Sequence, residues 1–325
     1  MNSNNKPRYL FLTLLAACVV LFAVMLWEMF YTAPAGGDNT ETVTGQESQG
    51  AQTQTQTLTE EQTTAEAVTS PETLPPETTQ QAPTLDAYEA SLGYDVELRE
   101  RYESYQQNNP ELDAQTVVKN VNIGIDREFY SVITPIDDPA SFQVQVNKYR
   151  SLPADYVPSD LVALEHCYPD RKGSVKLRAD AAAAFERMAE DALKLGYVIR
   201  GYSGYRSYSY QDMLYTNYCK NDPVYLVDTY SARPGHSEHQ TGLAIDVCTD
   251  KYAYNKFGQS QEYLWAKENI HKYGFVISYL EDKNHITGYK TEEWHFRYVG
   301  EELAAFLYEN NLVLDEYFAM YGDKA

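Results

Sequence analysis

Six histidines and an excess of carboxylates, 47 Asp and Glu against 26 Lys and Arg, supply the side chains that could hold a metal ion. His239 opens a short run, His-Gln-Thr-Gly-Leu-Ala-Ile, that ends on Asp246. His295 closes the tetrad Glu292-Glu293-Trp294-His295. Two imidazoles and one carboxylate are a set that catalytic zinc sites use, because three protein ligands leave the fourth tetrahedral position to water. Zinc lowers the pKa of such a water and polarises a carbonyl. A nearby carboxylate can then move the water's proton to a leaving amine. Spacing alone makes this set suggestive rather than specific, since a lone histidine is usually a surface or satisfied core residue. His166, His271 and His285 fit that bland description, and His236 fits a loop contact as well as it fits a site lining. Glu238 reads as a solvated neighbour of the metal loop, Trp294 as packing beneath the metal, and Gly242 as a place of close backbone approach.

Local context narrows the choice. Arg233 to Asp246, RPGHSEHQTGLAID, resembles the SxHxxGxAxD motif of the VanY-type D-Ala-D-Ala carboxypeptidases, with Ser237, His239, Gly242, Ala244 and Asp246 at its fixed positions. Glu292 to His295 resembles the family's ExWH motif, and Ser203-Gly-Tyr-Arg206-Ser207 its arginine-bearing strand end. The three occur in the family's order, and the resemblance spans residues 147–312. It implies a hedgehog/DD-peptidase-like fold, with one zinc ion per chain on His239, Asp246 and His295. It further implies Glu292 as the general base and Arg206 as the cation that stabilises the tetrahedral oxyanion. Ser237 and Gln211 are implied as substrate contacts. Glu293 departs from the proline that many relatives carry. If residues 292–295 were a strand, Glu293 and His295 would share a face and Glu292 would need a bend to join them.

Positioning these residues requires a mixture of strands and helices without a regular βαβ repeat, which is the α+β class; the resemblance adds a central antiparallel sheet flanked by helices. The clearest helix is Ala179 to Leu195, with small and apolar residues at helical spacing and Gly196 as its stop. Further helices are expected over residues 86–108, 110–120, 208–221, 259–272 and 301–311. Strands are expected over 122–131, 197–202, 243–248, 275–280 and 293–299, and an extended loop over 148–162.

The rest of the chain concerns where the chemistry takes place. Tyr9 to Trp27 is 19 residues without a charge, long enough to cross a bilayer. Lys6 and Arg8 precede it, and the acidic stretch after it has no basic residue, so the bias places residues 1–8 in the cytoplasm and the remainder outside. An uncleaved anchor over residues 9–31 competes with a cleaved signal peptide and with a lipoprotein signal at Cys18. Residues 32–84, with eight acidic and no basic residues and repeats such as QTQTQT, form a disordered linker. Residues 85–146 form the N-terminal part of the ectodomain, and residues 147–325 the peptidase domain. Cys167, Cys219 and Cys248 are compatible with one disulfide plus a thiol or with three buried thiols.

A net charge of −21 argues against nucleic acid as a partner. The expected partners are a peptidoglycan stem peptide and the membrane. The leading expectation is a zinc D,D-carboxypeptidase that releases terminal D-alanine from that peptide at the outer face of the cell membrane. An L,D-carboxypeptidase on tetrapeptides and a non-catalytic wall-binding module are the alternatives. A penicillin-sensitive serine enzyme is disfavoured, because no SxxK is followed by a KTG-like element.

Overall fold

A computed structural model describes residues 85–322. The apolar run at 9–27 and the linker lie outside the described residues. Among the described residues no helix is long and apolar enough to cross a membrane.

The site rests on a four-stranded antiparallel sheet of β5 (Arg200–Ser203), β6 (Ala244–Cys248), β7 (Phe275–Ile277) and β8 (His295–Tyr298), in the order β5-β6-β8-β7. Strand alternation divides its faces. Ile245, Val247 and Phe296 point into the main apolar core, while Asp246, His295 and Arg297 point the other way. Helix α4 (Ala179–Lys194) covers the apolar face. Its buried Ala181, Ala184, Phe185, Met188 and Ala192 recur at three- and four-residue steps, and Phe185 meets Phe275 edge-on at 6.3 Å. Gly196 ends this helix region at φ +89°.

Ahead of the sheet lie α1 (Leu85–Glu89), α2 (Arg99–Asn108) and α3 (Ala114–Ile123), the short parallel pair β1 (Thr134–Pro135) and β2 (Arg150–Ser151), and the antiparallel pair β3 (Leu161–Ala163) and β4 (Lys176–Arg178). Between the sheet strands come α5 (Tyr208–Tyr218), α6 (Val224–Val227), α7 (Gln261–Asn269) and α8 (Asn284–Thr287); α9 (Glu301–Asn310) and α10 (Leu314–Tyr321) follow. Helices α2 and α3 enclose a separate apolar cluster around Tyr102, Val117, Val118 and Val121. Helix α10 docks on α3 through Asn122 Nδ2, which donates to Ala319 O at 2.8 Å, and through Lys119–Glu316 at 2.8 Å.

The α+β class is the one observed, but a strand over 122–131 is not. Residues 122–123 complete α3, Gly124 caps it at φ +102°, and turns follow. A glycine able to take the left-handed conformation and the Asp113 N-cap, which accepts from Thr116 N at 2.7 Å, outweigh the alternation of Ile and polar residues in that stretch. Cys167, Cys219 and Cys248 are free thiols, the first and last buried.

Candidate metal centre

His239, Asp246 and His295 converge, with one ligand atom from each lying within 4.8 Å of the others. Asp246 and His295 are register partners in the β6–β8 ladder, so their side chains leave the sheet side by side. His239 comes from a 3₁₀ turn over Glu238–Thr241 just before β6. Gly242 closes that turn at φ +68°, which favours glycine, and a Cβ there would lie 2.9 Å from Leu161.

His239 Nδ1 lies 2.7 Å from Gly204 O. A carbonyl only accepts, so Nδ1 carries the proton and Nε2 presents a lone pair. That Nε2 is buried and makes no hydrogen bond, although Asp246 Oδ1 lies 3.3 Å away. Burial, then the Arg206 cation, holds the His239 pKa down at about 4, so the ring is neutral at neutral pH. Burial opposes ionisation of Asp246, but the hydrogen bond from His295 and the Arg206 cation outweigh it and push its pKa far down. A neutral nitrogen lone pair and a carboxylate therefore face each other with no proton between them. A cation relieves that repulsion, and with imidazole and carboxylate donors the residues fit a zinc ion.

His295 brings its Nδ1 to 3.2 Å from Asp246 Oδ1, and its Nε2–H donates to Glu238 Oε2 at 2.9 Å. Burial works against its charge, but hydrogen bonds to Asp246 and Glu238 prevail and raise its pKa to about 10 in the metal-free protein. The Tyr279 ring lies 4.8 Å from the His295 ring, tilted by 40°.

Glu292 Oε2 stands 3.9 Å from His295 Nδ1. Strand β8 starts only at His295, so residues 292–294 form a turn and the expected alternation does not apply. Glu293 packs instead against Gly258, where a Cβ would lie 2.8 Å from its carboxyl carbon. Burial raises the Glu292 pKa to about 7, with His295 opposing and Asp246 adding to the rise.

Arg206 Nη2 donates to Asp246 Oδ2 at 3.3 Å, and Nη1 donates to Gln211 Oε1 at 3.1 Å. Helix α5 is capped by Ser207, whose Oγ accepts from Tyr210 N, and this places Gln211 on its first turn. Gln211 is buried, and its Nε2 donates to Ala232 O at 2.8 Å. Both ends of its amide thus brace Arg206 against the loop before the metal turn. Ser237 is buried at the start of that turn.

Glu238 is not the solvated neighbour expected from sequence, since it is only 6% exposed. It accepts from His295, from Ser278 Oγ at 2.7 Å and from Arg297 Nη1 at 2.9 Å. Two-residue alternation along β8 from His295 to Arg297 could have placed Arg297 on the metal face; no period signals Glu238 or Tyr279. His236 makes a loop contact, its Nδ1–H donating to Asn147 O at 2.8 Å. His166 and His271 are half-buried rather than on the surface, His166 against Glu186 and His271 stacked on Tyr308, while His285 is exposed. Trp294 packs on the core and meets Tyr254 edge-on at 5.6 Å.

The family model for VanY, D-alanyl-D-alanine carboxypeptidase, matches residues 174–301. The protein YodJ of Bacillus subtilis (strain 168) is 35% identical over 211 residues, covering 62% of this chain and 77% of that protein. The bifunctional D-Ala-D-Ala dipeptidase and D-Ala-D-Ala carboxypeptidase VanXYC of Enterococcus gallinarum is 33% identical, over 53% of this chain and 90% of its own length. Among solved structures, the LdcB LD-carboxypeptidase superposes with a TM-score of 0.56 at 35% identity, covering 60% of this chain and 94% of that one. The matched segment holds the three converging side chains together with Glu292 and Arg206, and the chain belongs to the VanY D-alanyl-D-alanine carboxypeptidase family.

Proposed function

We propose that this protein is a zinc D,D-carboxypeptidase that hydrolyses the terminal D-alanine from peptidoglycan stem peptides. The observation that carries this reading is the lone pair of His239 Nε2, buried without a hydrogen bond and facing the ionised Asp246 beside His295. His239, Asp246 and His295 are the ligands. A bound zinc ion supplies Lewis acidity and a water acidified toward neutrality.

The chain's own residues do the rest. Glu292 has a poised carboxyl near the ligands, so it takes the proton of the attacking water and returns it to the departing amine nitrogen. Arg206 keeps a permanent cation beside the reacting carbonyl, where negative charge develops on oxygen. Gln211 holds that guanidinium in place from within the fold, and Ser237 lies at the edge of the ligand turn as a substrate contact. The protein acts outside the cell, held at the membrane by residues 9–31. The charge-free run and the basic residues before it support this placement.

The likeness to the LdcB LD-carboxypeptidase favours a second reading, in which the substrate is a tetrapeptide. One assay separates them. Zinc-loaded full-length protein is incubated with a stem pentapeptide and, separately, a tetrapeptide, and D-alanine release is followed by mass spectrometry. Release from the pentapeptide is expected. Release from the tetrapeptide alone shifts the activity to L,D, and release from neither rejects both.

A further inference from the structure

We propose that Glu238 is a positioning residue that fixes the ring of the metal ligand His295 through a buried carboxylate bound on both oxygens. Oε2 accepts from His295 Nε2–H at 2.9 Å and from Ser278 Oγ–H at 2.7 Å. Oε1 accepts from Arg297 Nη1 at 2.9 Å. Arg297 is fully buried, and its Nη2 is tied to Val144 O at 2.7 Å and Phe142 O at 3.3 Å. The carboxylate is thus anchored through Arg297 to backbone outside the sheet.

This arrangement selects one orientation of the ring. With Nε2–H committed to Glu238, Nδ1 is the nitrogen turned to Asp246 and the metal corner, and Tyr279 covers the ring from the side. A ring flipped by half a turn would exchange Nδ1 with a carbon and lose both contacts. A carboxylate that serves as counter-ion to an arginine frequently gives both oxygens to the guanidinium fork. Here one oxygen is given to His295 and Ser278 instead. Carboxylates that hold the outer nitrogen of a ligand histidine raise metal affinity by orienting the ring.

The inference rests on the zinc reading above, and the test separates the two. Full-length wild type, Glu238→Gln and the double variant Glu238→Leu/Arg297→Met are stripped of metal, and zinc affinity is measured by chelator competition. Melting of each metal-free protein is recorded alongside. Glutamine offers one acceptor where three donors converge; the double variant removes the ion pair together, so it strands no buried charge. Both are expected to bind zinc about 10- to 100-fold more weakly than wild type. The visible spectrum of the cobalt-substituted variants is expected to shift, which a loss of stability alone does not cause. Wild-type affinity and an unaltered cobalt spectrum in the variants overturn the role of Glu238 while leaving the zinc reading intact. Absence of zinc binding by wild type overturns both.

Discussion

Asp246 and His295 stand directly opposite one another in the β6–β8 ladder, and their Oδ1 and Nδ1 atoms are 3.2 Å apart. Two of the three proposed ligands are therefore spaced by backbone hydrogen bonds rather than by loops. The metal-free site leaves the His239 Nε2 lone pair facing the Asp246 carboxylate, so a bound ion should add stability. Ion excess of a thousandfold over the dissociation constant adds about 4 kcal/mol. Treatment with a strong chelator should lower the melting temperature and abolish activity, with zinc restoring both. Calorimetry before and after chelation checks this, and an unchanged transition would count against a metal in the site.

Glu292→Gln should separate binding from turnover. It keeps the size of the side chain but cannot take a proton. Zinc affinity should stay within a few-fold of wild type while kcat falls by about 10²–10⁴. Chelator competition and steady-state kinetics on the same preparation provide the comparison.

Arg206→Ala should lower kcat by about 10²–10³, the loss seen when one donor to a developing oxyanion is removed. Gln211→Ala removes a brace rather than the cation itself, so its effect should be smaller and in the same direction. Separate kcat and KM values distinguish this ranking from one in which Gln211 binds substrate directly, where KM would rise first.

Gly204→Ala tests the support of His239. A Cβ there would come within 2.3 Å of Lys176 O, a backbone atom that cannot swing aside. The end of β5 would have to move and withdraw the carbonyl that orients His239 Nδ1–H. We expect a destabilisation of about 1–3 kcal/mol in denaturant melts, with weaker zinc binding beside it.

Lys148 offers a pH test away from the metal. It is 1% exposed, its Nζ donates to Asp228 O and lies 3.8 Å from the centre of the Tyr289 ring. Burial lowers its pKa from 10.5 to about 7, with Asp228 opposing. Between those values the unfolded chain holds more protons than the folded one, so this residue makes stability rise with pH. Below about 7 both states are protonated and its contribution to the slope vanishes. Relative to Lys148→Met, wild type should gain stability between pH 7 and 10, by at most about 1.4 kcal/mol per pH unit. Paired denaturant melts across that range decide it; parallel curves would refute it.

Much of this was legible in the residues. The alanine-rich face of α4 has a period that only one packing satisfies, and Gly196 marks its end. The three converging side chains could be named because their neighbours form motifs, not because histidine is rare. The resemblance points to Glu292 while strand alternation favours Glu293; with β8 beginning at His295, that alternation does not reach residues 292–294. Glu238 reads as solvated in the sequence, and its burial was hidden for a related reason. Its partners, Ser278 and Arg297, lie 40 and 59 residues away, and no local pattern reports a carboxylate satisfied by remote donors. The stretch 122–131 misled because its alternation is real, but the helix cap at Gly124 decides the backbone first.

The cross-strand pairing of Asp246 with His295 also bears on how such enzymes can diverge. Asp246 and His295 sit on a ladder whose geometry the backbone enforces, whereas His239, Arg206, Gln211, Ser237 and Glu292 are presented by the connections at its margins. Recomposing the connections that carry Arg206, Gln211 and Glu292 can alter which peptide end is admitted while Asp246 and His295 keep their spacing. The spacing of that one pair is thus encoded by strand register, apart from the residues proposed to meet the peptide.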